Sequence, residues 1–201
     1  MRSHPPLAAL ILLFALVLLP CLDVLAQTRT AGSEDLKANK KAVERYFSEF
    51  IDRMGVGDAP QDKWPGMADQ VGRVCDELFA EGAAQHFPGL PPSAPKGLAN
   101  IVKLGINKSM ATTIHHIVAE GNLVVAHVSH DLTPRPGTPF MSPRIRCAVP
   151  TKGNTIHWEA MAIFKFENGK IVEEWVSRDD LGSLLQLGRV TFEPCGPMPG
   201  K

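Results

Sequence analysis

The ionisable side chains that could perform chemistry lie on segments with strand periodicity and on one proline-rich loop. Glu174 and His127 lie on predicted strands, and His86 lies in the loop Gln85–Pro92. The sequence contains no nucleotide-binding glycine pattern, nucleophile elbow or HExxH helix. What these residues can support is acid and base catalysis, which requires neither a metal nor an organic cofactor.

Glu174 is the carboxylate best suited to such a role because its neighbours are apolar. A carboxyl group in a dry pocket has a raised pKa and can remove a proton alpha to a carbonyl. An imidazole can then donate a hydrogen bond to the enolate that develops. We therefore assign Glu174 as the candidate base, with His127 and His86 as donors. Both faces of its strand carry apolar residues, so the sequence does not decide which face Glu174 lies on.

The strand that carries Glu174 belongs to a predicted hairpin. Ile156–Glu167 and Lys170–Ser177 are rich in β-branched and aromatic residues, and Asn168-Gly169 between them suits a type I′ turn. One face of the first strand is wholly apolar, and the other is partly so. We expect the helices of the chain to cover one side of the sheet and a second subunit to cover the other, which gives a homodimer.

The remaining elements place helices before strands, the order of an α+β fold. Apolar residues recur at helical spacing in three segments, and a second hairpin follows. In chain order, the predicted elements are helices Glu34–Met54, Met67–Ala80 and Lys96–Met110, strands Ala111–Ala119 and Asn122–Leu132, an irregular loop Thr133–Asn154, and, after the hairpin described above, a short helix Leu181–Leu187.

Other polar residues favour structural roles. His115 and His116 are adjacent on a strand and are expected to point to opposite sides, and His130 is expected on the face opposite His127. Asp179 precedes the last helix, where it fits a helix cap better than a ligand contact.

The first 26 residues have the pattern of a secretory signal. Arg2 precedes an apolar run from Leu7 to Leu19, and Ala26 is a suitable residue for cleavage. We predict a secreted or periplasmic protein with no membrane attachment after cleavage; the alternative is an uncleaved anchor. Residues 27–33 are small and polar and are expected to be disordered.

Composition and cysteines narrow the class further. The 201 residues are 44% hydrophobic, and 21 basic residues balance 21 acidic ones, which gives no electrostatic surface for nucleic acid. Cysteine spacing does not suit a structural zinc site. In an oxidising compartment Cys147 and Cys195 could form a disulfide, whereas Cys75 lies in a helical pattern and is expected to pack as a small apolar residue.

The end of the chain resembles a known family. Gly169-Lys170-Ile171, Glu173, Trp175, Asp179 and Gln186-Leu187-Gly188 match the closing strand and tail of SnoaL-like (polyketide cyclase and ester cyclase-like) proteins of the nuclear transport factor 2-like superfamily. The resemblance covers roughly residues 40–188. It implies one domain, residues 34–188, followed by a proline-rich tail, residues 189–201. It also implies a cone in which a curved antiparallel sheet wraps around about three N-terminal helices and leaves a cavity.

The resemblance also implies site positions. In characterised polyketide cyclases of this family an aspartate acts as acid and base where this chain has Val176, so Glu174 lies two residues away on the same face. His86 matches a histidine of the loop that closes the cavity, and His127 matches the end of the AEGD-L-V-x-x-H strand, with Asn122 in place of the aspartate. The residues expected to contact a ligand are Trp158, Ala162, Phe164, Val176 and Asp179.

Two functions remain open at this point. One is an exported acid/base catalyst, a cyclase, aldol-type lyase or isomerase, that acts on a small apolar carbonyl compound. The other is a carrier that binds a hydrophobic ligand in the same cavity without turnover. A third possibility, a dimeric interaction module, predicts a filled cone.

Overall fold

A computed structural model describes residues 32–142 and 149–191 of the chain. A curved, unclosed sheet, mostly antiparallel, packs against the helices that precede it. The predicted α+β class with a cone-shaped sheet is therefore confirmed. The predicted signal peptide, Cys147 and Cys195 lie outside the described residues, as does most of the tail.

The first helical segment runs from residue 33 to residue 54, which agrees with the helix predicted there. Helix α1, Ser33–Arg45, continues directly into a π-helical turn, Tyr46–Ile51, and a 3-10 turn, Asp52–Met54. The π-helical turn buries four apolar or aromatic side chains, those of Tyr46, Phe47, Phe50 and Ile51. This turn is the part of the segment that faces the core most fully.

Two further helices complete the layer. Helix α2, Trp64–Leu78, matches the second predicted helix to within a few residues. Helix α3 is only Asn100–Leu104, preceded by a 3-10 turn at Pro95–Ala99, so the predicted helix over Lys96–Met110 was too long. Gly105 ends it with φ 57°, and the Trp64 ring fills the space where a side chain would stand. Only glycine fits both constraints without strain.

The strands in chain order are β1 Phe79–His86, β2 Asn107–Glu120, β3 Leu123–Pro134, β4 Pro139–Phe140, β5 Val149–Pro150, β6 Ile156–Glu167 and β7 Lys170–Arg178. Five of them form the main sheet in the order β1-β7-β6-β3-β2. The pairing of β1 with β7 is parallel and the other three are antiparallel. The two predicted hairpins, β2-β3 and β6-β7, are confirmed, and Asn168 and Gly169 have the positive φ values of a type I′ turn. Helix α4, Asp180–Gln186, follows β7.

Strand β1 was not predicted. The sequence favoured a helix to Ala80 and a loop from Gln85, but the backbone leaves α2 at Phe79 and pairs with the edge of β7. The paired residues of β1 and β7 are about 90 positions apart in the sequence, so no local pattern predicts this pairing. This pairing places Gln85 beside Glu174 and His86 beside Trp175.

Two irregularities decide which faces the polar residues occupy. In β7 the register shifts between Ile171 and Glu173, so that Ile171 and Glu174 are both buried on the inner face. In β2 a shift at His115 breaks the alternation that predicted opposite sides for His115 and His116. Both rings contact outer-face residues of β3, because an extra residue in one strand realigns the side chains that follow.

The inner face of the sheet holds the core. Alternate residues of β6 from Ile156 to Phe166 are buried against the helices, as predicted. On the outer face Met161 and Ile163 remain 48% and 38% exposed. Cys75 is free and buried in α2, in agreement with its predicted packing role. Among the described residues no helix has the length and hydropathy that a membrane span requires.

Candidate functional site

A cavity lies between the inner face of the sheet and the helical layer. Its floor is formed where Ala160 and Ala162 stand between the larger side chains of Trp158 and Phe164 on β6. The space that a water-sized molecule can enter has a volume of about 110 Å³. One water needs about 10 to 15 Å³ by this measure, so the cavity can admit an organic molecule. The lining is mostly apolar, with a few polar groups.

Glu174 is the buried carboxyl of this cavity. Only 1% of the residue is exposed, and Gln85 Nε2 donates a hydrogen bond to Oε2 at 2.6 Å. Oε1 makes no hydrogen bond of good geometry with a described residue. Burial raises the pKa of Glu174 from 4.5 to about 7, although the adjacent Tyr46 and Gln85 side chains act in the opposite direction. A carboxyl group of this kind is poised to exchange a proton near neutral pH.

Tyr46 stands beside Glu174 at the start of the π-helical turn. Its ring packs on Phe164 and Phe47 with centroid distances of 5.1 Å each. Burial, and next the charge of Glu174, raise the pKa of Tyr46 well above 10. The hydroxyl therefore keeps its proton and can act as a donor.

A second polar group on the cavity wall is His130 of β3. Its Nδ1 lies 2.9 Å from Thr112 Oγ1, and the same hydroxyl donates to Asp52 Oδ1 at 2.6 Å. Burial, followed by the nearby charge of Arg178, lowers the pKa of His130 from 6.5 to about 4. Burial also raises the pKa of Asp52. At neutral pH His130 is therefore an uncharged imidazole within the cavity.

Arg178 and Trp158 form the wall near His130. The Arg178 guanidinium stands 4.4 Å from the centre of the Trp158 ring, and its Nε lies 2.8 Å from Asp180 Oδ1. Ser142 donates to the same carboxylate oxygen at 2.7 Å. This end of the cavity is thus polar and held by ion pairing, whereas the floor is apolar.

The structure brings together four of the eight site residues predicted from the sequence. Glu174, Trp158, Ala162 and Val176 all line the cavity. Phe164 does not line it, because its ring is fully buried against Tyr46 and Phe47 in the core. Phe164 packs behind the residues that line the cavity.

The other three predicted site residues lie elsewhere. His127 lies on the outer face, where Nε2 is 3.3 Å from Glu159 Oε2, because residues 124, 126 and 128 of β3 take the inner positions. His86 also lies outside, stacked on Trp175 at 5.2 Å and 3.3 Å from Glu173. Asp179 caps α4, accepting a hydrogen bond from the Gly182 backbone at 2.8 Å, which confirms the helix cap that the sequence favoured for this residue. The expected contacts of these three residues with the cavity are not present.

Sequence reasoning missed the partners of Glu174 and the group around His130. Tyr46, Gln85, Asp52 and Thr112 come from three separate segments, and no short motif links them. His130 carried a usable signal, because it continues the buried alternation of Val124, Ala126 and Val128. Among the described residues no group of three or more His, Cys, Asp or Glu side chains could hold a metal ion.

A curved sheet that encloses an apolar cavity against its helices is the fold of the nuclear transport factor 2-like superfamily. A family model for the SnoaL-like domain matches residues 66–174, and the chain belongs to this family. No protein of curated function matches the sequence.

Solved structures with the same fold have low sequence identity to this chain. A candidate SnoaL-like polyketide cyclase from Jannaschia sp. CCS1 is 16% identical, with a TM-score of 0.59 over 80% of this chain and 98% of its own. TsrD from Streptomyces laurentii is 18% identical, with a TM-score of 0.54 over 77% and 97%. An epoxide hydrolase of the LEH-like type from M. tuberculosis is 13% identical, with a TM-score of 0.51 over 77% and 92%. These similarities establish the fold alone.

Proposed function

We propose that the protein binds a small, largely apolar carbonyl compound in its cavity and catalyses proton transfer at the carbon next to the carbonyl. The observation that carries this proposal is a fully buried carboxyl, Glu174, with a pKa of about 7 at the wall of an apolar cavity. Burial of an ionisable group costs free energy, and buried groups with a strongly shifted pKa in a cavity are concentrated at functional sites.

In the proposed reaction Glu174 removes the proton. The C–H bond breaks, the proton moves to the carboxylate, and the electron pair moves to the carbonyl oxygen as an enolate. Gln85 donates a hydrogen bond to Glu174 and the Tyr46 hydroxyl acts on the same carboxyl, so both hold the base in place. A positioned base of this kind typically accelerates a reaction by about 10² to 10⁴-fold.

The same first step serves several reactions. Return of the proton at another carbon gives an isomerase. Attack of the enolate carbon on a second carbonyl of the same molecule, with return of the proton to the new alkoxide, closes a ring as in a cyclase, and the reverse of such an addition is the reaction of an aldol-type lyase. The family's aspartate position is Val176 in this chain, so the base lies one inward-facing position earlier on β7. The neighbouring structures named as a polyketide cyclase and an epoxide hydrolase are compatible with acid/base chemistry in a cavity of this fold.

The alternative function is binding without turnover. Gln85 already donates to Oε2 of Glu174 and lies in the neighbouring strand, so the pair also has the form of a purely structural contact. A carrier of hydrophobic ligands would use the same apolar floor and would leave the carboxyl unused. Binding and turnover must therefore be measured separately.

The test is exchange of hydrogen for deuterium in 4-methylacetophenone, an apolar ketone whose methyl group next to the carbonyl carries the reacting protons. The probe is incubated with the protein in D₂O, and loss of the methyl signal is followed by NMR. Exchange above the uncatalysed rate should increase with pH through about 7, as Glu174 ionises. Glu174→Gln should abolish this excess, whereas Glu173→Gln, on the outer face of the same strand, should retain it.

The outcomes separate the two functions. Binding of the ketone with no excess exchange would favour the carrier. Equal exchange in wild type and Glu174→Gln would contradict the role of Glu174. If the ketone neither binds nor exchanges, the proposed cavity function is wrong for this class of compound.

We also propose that the protein is exported, with cleavage after Ala26. The support is the basic and apolar N-terminal pattern together with a small residue at the cleavage position. Expression of the full chain in a bacterial host, fractionation and intact mass measurement provide the test. A periplasmic chain that begins at Gln27 is expected, and a full-length chain retained in the membrane fraction would contradict cleavage.

A further inference from the structure

The hydrogen bonds around His130 determine which nitrogen carries its proton. Thr112 Oγ1 has one hydrogen and donates it to Asp52 Oδ1 at 2.6 Å. The contact of 2.9 Å between that hydroxyl and His130 Nδ1 must then be made with the oxygen as acceptor. An uncharged His130 thus holds its proton on Nδ1, and its Nε2 is left with a lone pair.

That lone pair is available to a ligand. His130 lines the cavity, and within the described residues its Nε2 makes no hydrogen bond. The rings of Trp158 and Phe47 flank the imidazole, with centroid distances of 5.3 Å and 6.0 Å. A hydrogen-bond acceptor that is flanked by two aromatic rings suits a ligand that has a ring and a hydroxyl donor.

The His130 group is separate from the proposed base. On β6, Glu174 pairs with Phe164 and His130 is level with Trp158, which are six residues apart (164 − 158). The carboxyl on β7 and the imidazole on β3 therefore lie at different positions along the same cavity.

We propose that Thr112 and Asp52 hold His130 as an acceptor of hydrogen bonds, and that the ligand of this cavity carries a phenolic or enolic hydroxyl that donates to His130 Nε2. This inference rests on the proposed function, because it names the substrate class of the same cavity. A hydroxyl of this type also occurs in the enol form of a carbonyl compound with two carbonyl groups. The lowered pKa of His130 supports the uncharged state that the proposal requires.

The test compares 4-hydroxyacetophenone with 4-methylacetophenone, two ketones of nearly equal size in which a hydroxyl group of the first replaces a methyl group of the second. Calorimetric titrations are made under conditions in which the phenol is uncharged. Wild type should bind the hydroxyl compound at least about fivefold more tightly, the effect of one neutral hydrogen bond. His130→Phe should lose this preference, and His127→Phe, on the outer face of the same strand, should keep it.

A second measurement needs no ligand, and its deciding result comes from the wild-type protein. Nitrogen-15 NMR of the histidine rings distinguishes the two neutral forms, and His130 should be protonated on Nδ1. Thr112→Val should move the population toward protonation on Nε2, because the acceptor for the Nδ1 proton is lost. A wild-type His130 protonated on Nε2 would overturn the inference.

The outcomes distinguish this inference from the proposed function. If wild type binds the methyl compound as tightly as the hydroxyl compound, the role of His130 is wrong and the cavity function stands. If neither ketone binds, the cavity function fails for this class, and the ring protonation of His130 then decides the inference by itself.

Discussion

At the scale of single residues, the two polar groups of the cavity are affected in opposite directions by the same burial. Burial opposes charge, so it raises the pKa of the Glu174 carboxyl to about 7 and lowers the pKa of the His130 imidazole to about 4. Both groups are therefore largely uncharged in slightly acidic solution. A pair of groups with environments of this kind is a common arrangement at sites of proton transfer.

The raised pKa of Glu174 predicts a pH dependence of stability. The folded protein holds the carboxyl proton more tightly than the unfolded chain, where the pKa is near 4.5. The protonated carboxyl therefore contributes its full stabilisation of the folded state below about pH 4.5, and this contribution is lost as pH rises through 7. Between pH 5 and 8 wild type should lose about 2 to 3 kcal/mol of unfolding free energy relative to Glu174→Gln.

Urea unfolding of both proteins at the two pH values measures this difference directly. Other titrating groups, His130 among them, affect wild type and variant alike and cancel in the comparison. Glu173→Gln serves as the control, because this side chain lies on the outer face beside His86, and it should keep the wild-type slope. Parallel pH profiles for wild type and Glu174→Gln would show that the carboxyl is not buried as described.

At the scale of elements, β6 and β7 were the most predictable part of the chain and β1 the least. Asn168-Gly169 and the alternating apolar residues define a hairpin locally, so its turn and faces could be predicted. The shift beside Ile171 could not, because an extra residue in a strand has no distinctive side-chain pattern when both faces are apolar. That shift determines how Ile171 and Glu174 share a face.

Contacts between distant segments account for what sequence reasoning missed at the site. Gln85 reaches Glu174 only because Phe79–His86 leaves the helix and pairs with β7. The family resemblance located the strand that carries the proposed base, but it also suggested His127 and His86, which lie on the outer face. A family resemblance predicts which strand carries a residue more reliably than it predicts which face of the sheet the side chain lies on.

The small residues of β6 give a prediction about the cavity floor. Ala162→Leu should place three additional carbon atoms in the cavity and weaken binding of 4-methylacetophenone about tenfold. Since the cavity can receive the larger side chain, the unfolding free energy should change by less than about 1.5 kcal/mol. Titration of the ketone and urea unfolding measure the two quantities.

Ala126→Leu is the matched control for this variant. Ala126 is the partner of Ala162 on β3 and is fully buried, but it does not line the cavity. The same enlargement there should cost about 1 to 3 kcal/mol of stability, because the packed core has no space for it. If Ala162→Leu destabilises as strongly and leaves ketone affinity unchanged, the cavity is not the binding site.

At the scale of the whole molecule, the outer face of the sheet carries an apolar row. Val118, Val125, Ile163 and Trp175 are successive partners across β2, β3, β6 and β7. Val118, on the edge strand β2, is 61% exposed, and Ile163, on the central strand β6, is 38% exposed. An exposed apolar row of this length is typical of a surface that another protein covers.

We expect two copies of the chain to associate through this row. Ile163→Lys places a charge in its centre, and burial of an unpaired charge costs several kcal/mol, so the variant should be monomeric. Sedimentation velocity over a concentration series measures the state of association. Asn100→Lys adds the same charge at an exposed position on α3 and should remain dimeric. A wild type that is monomeric at all concentrations, or an Ile163→Lys variant that dimerises as wild type does, would show that the outer face is not the interface.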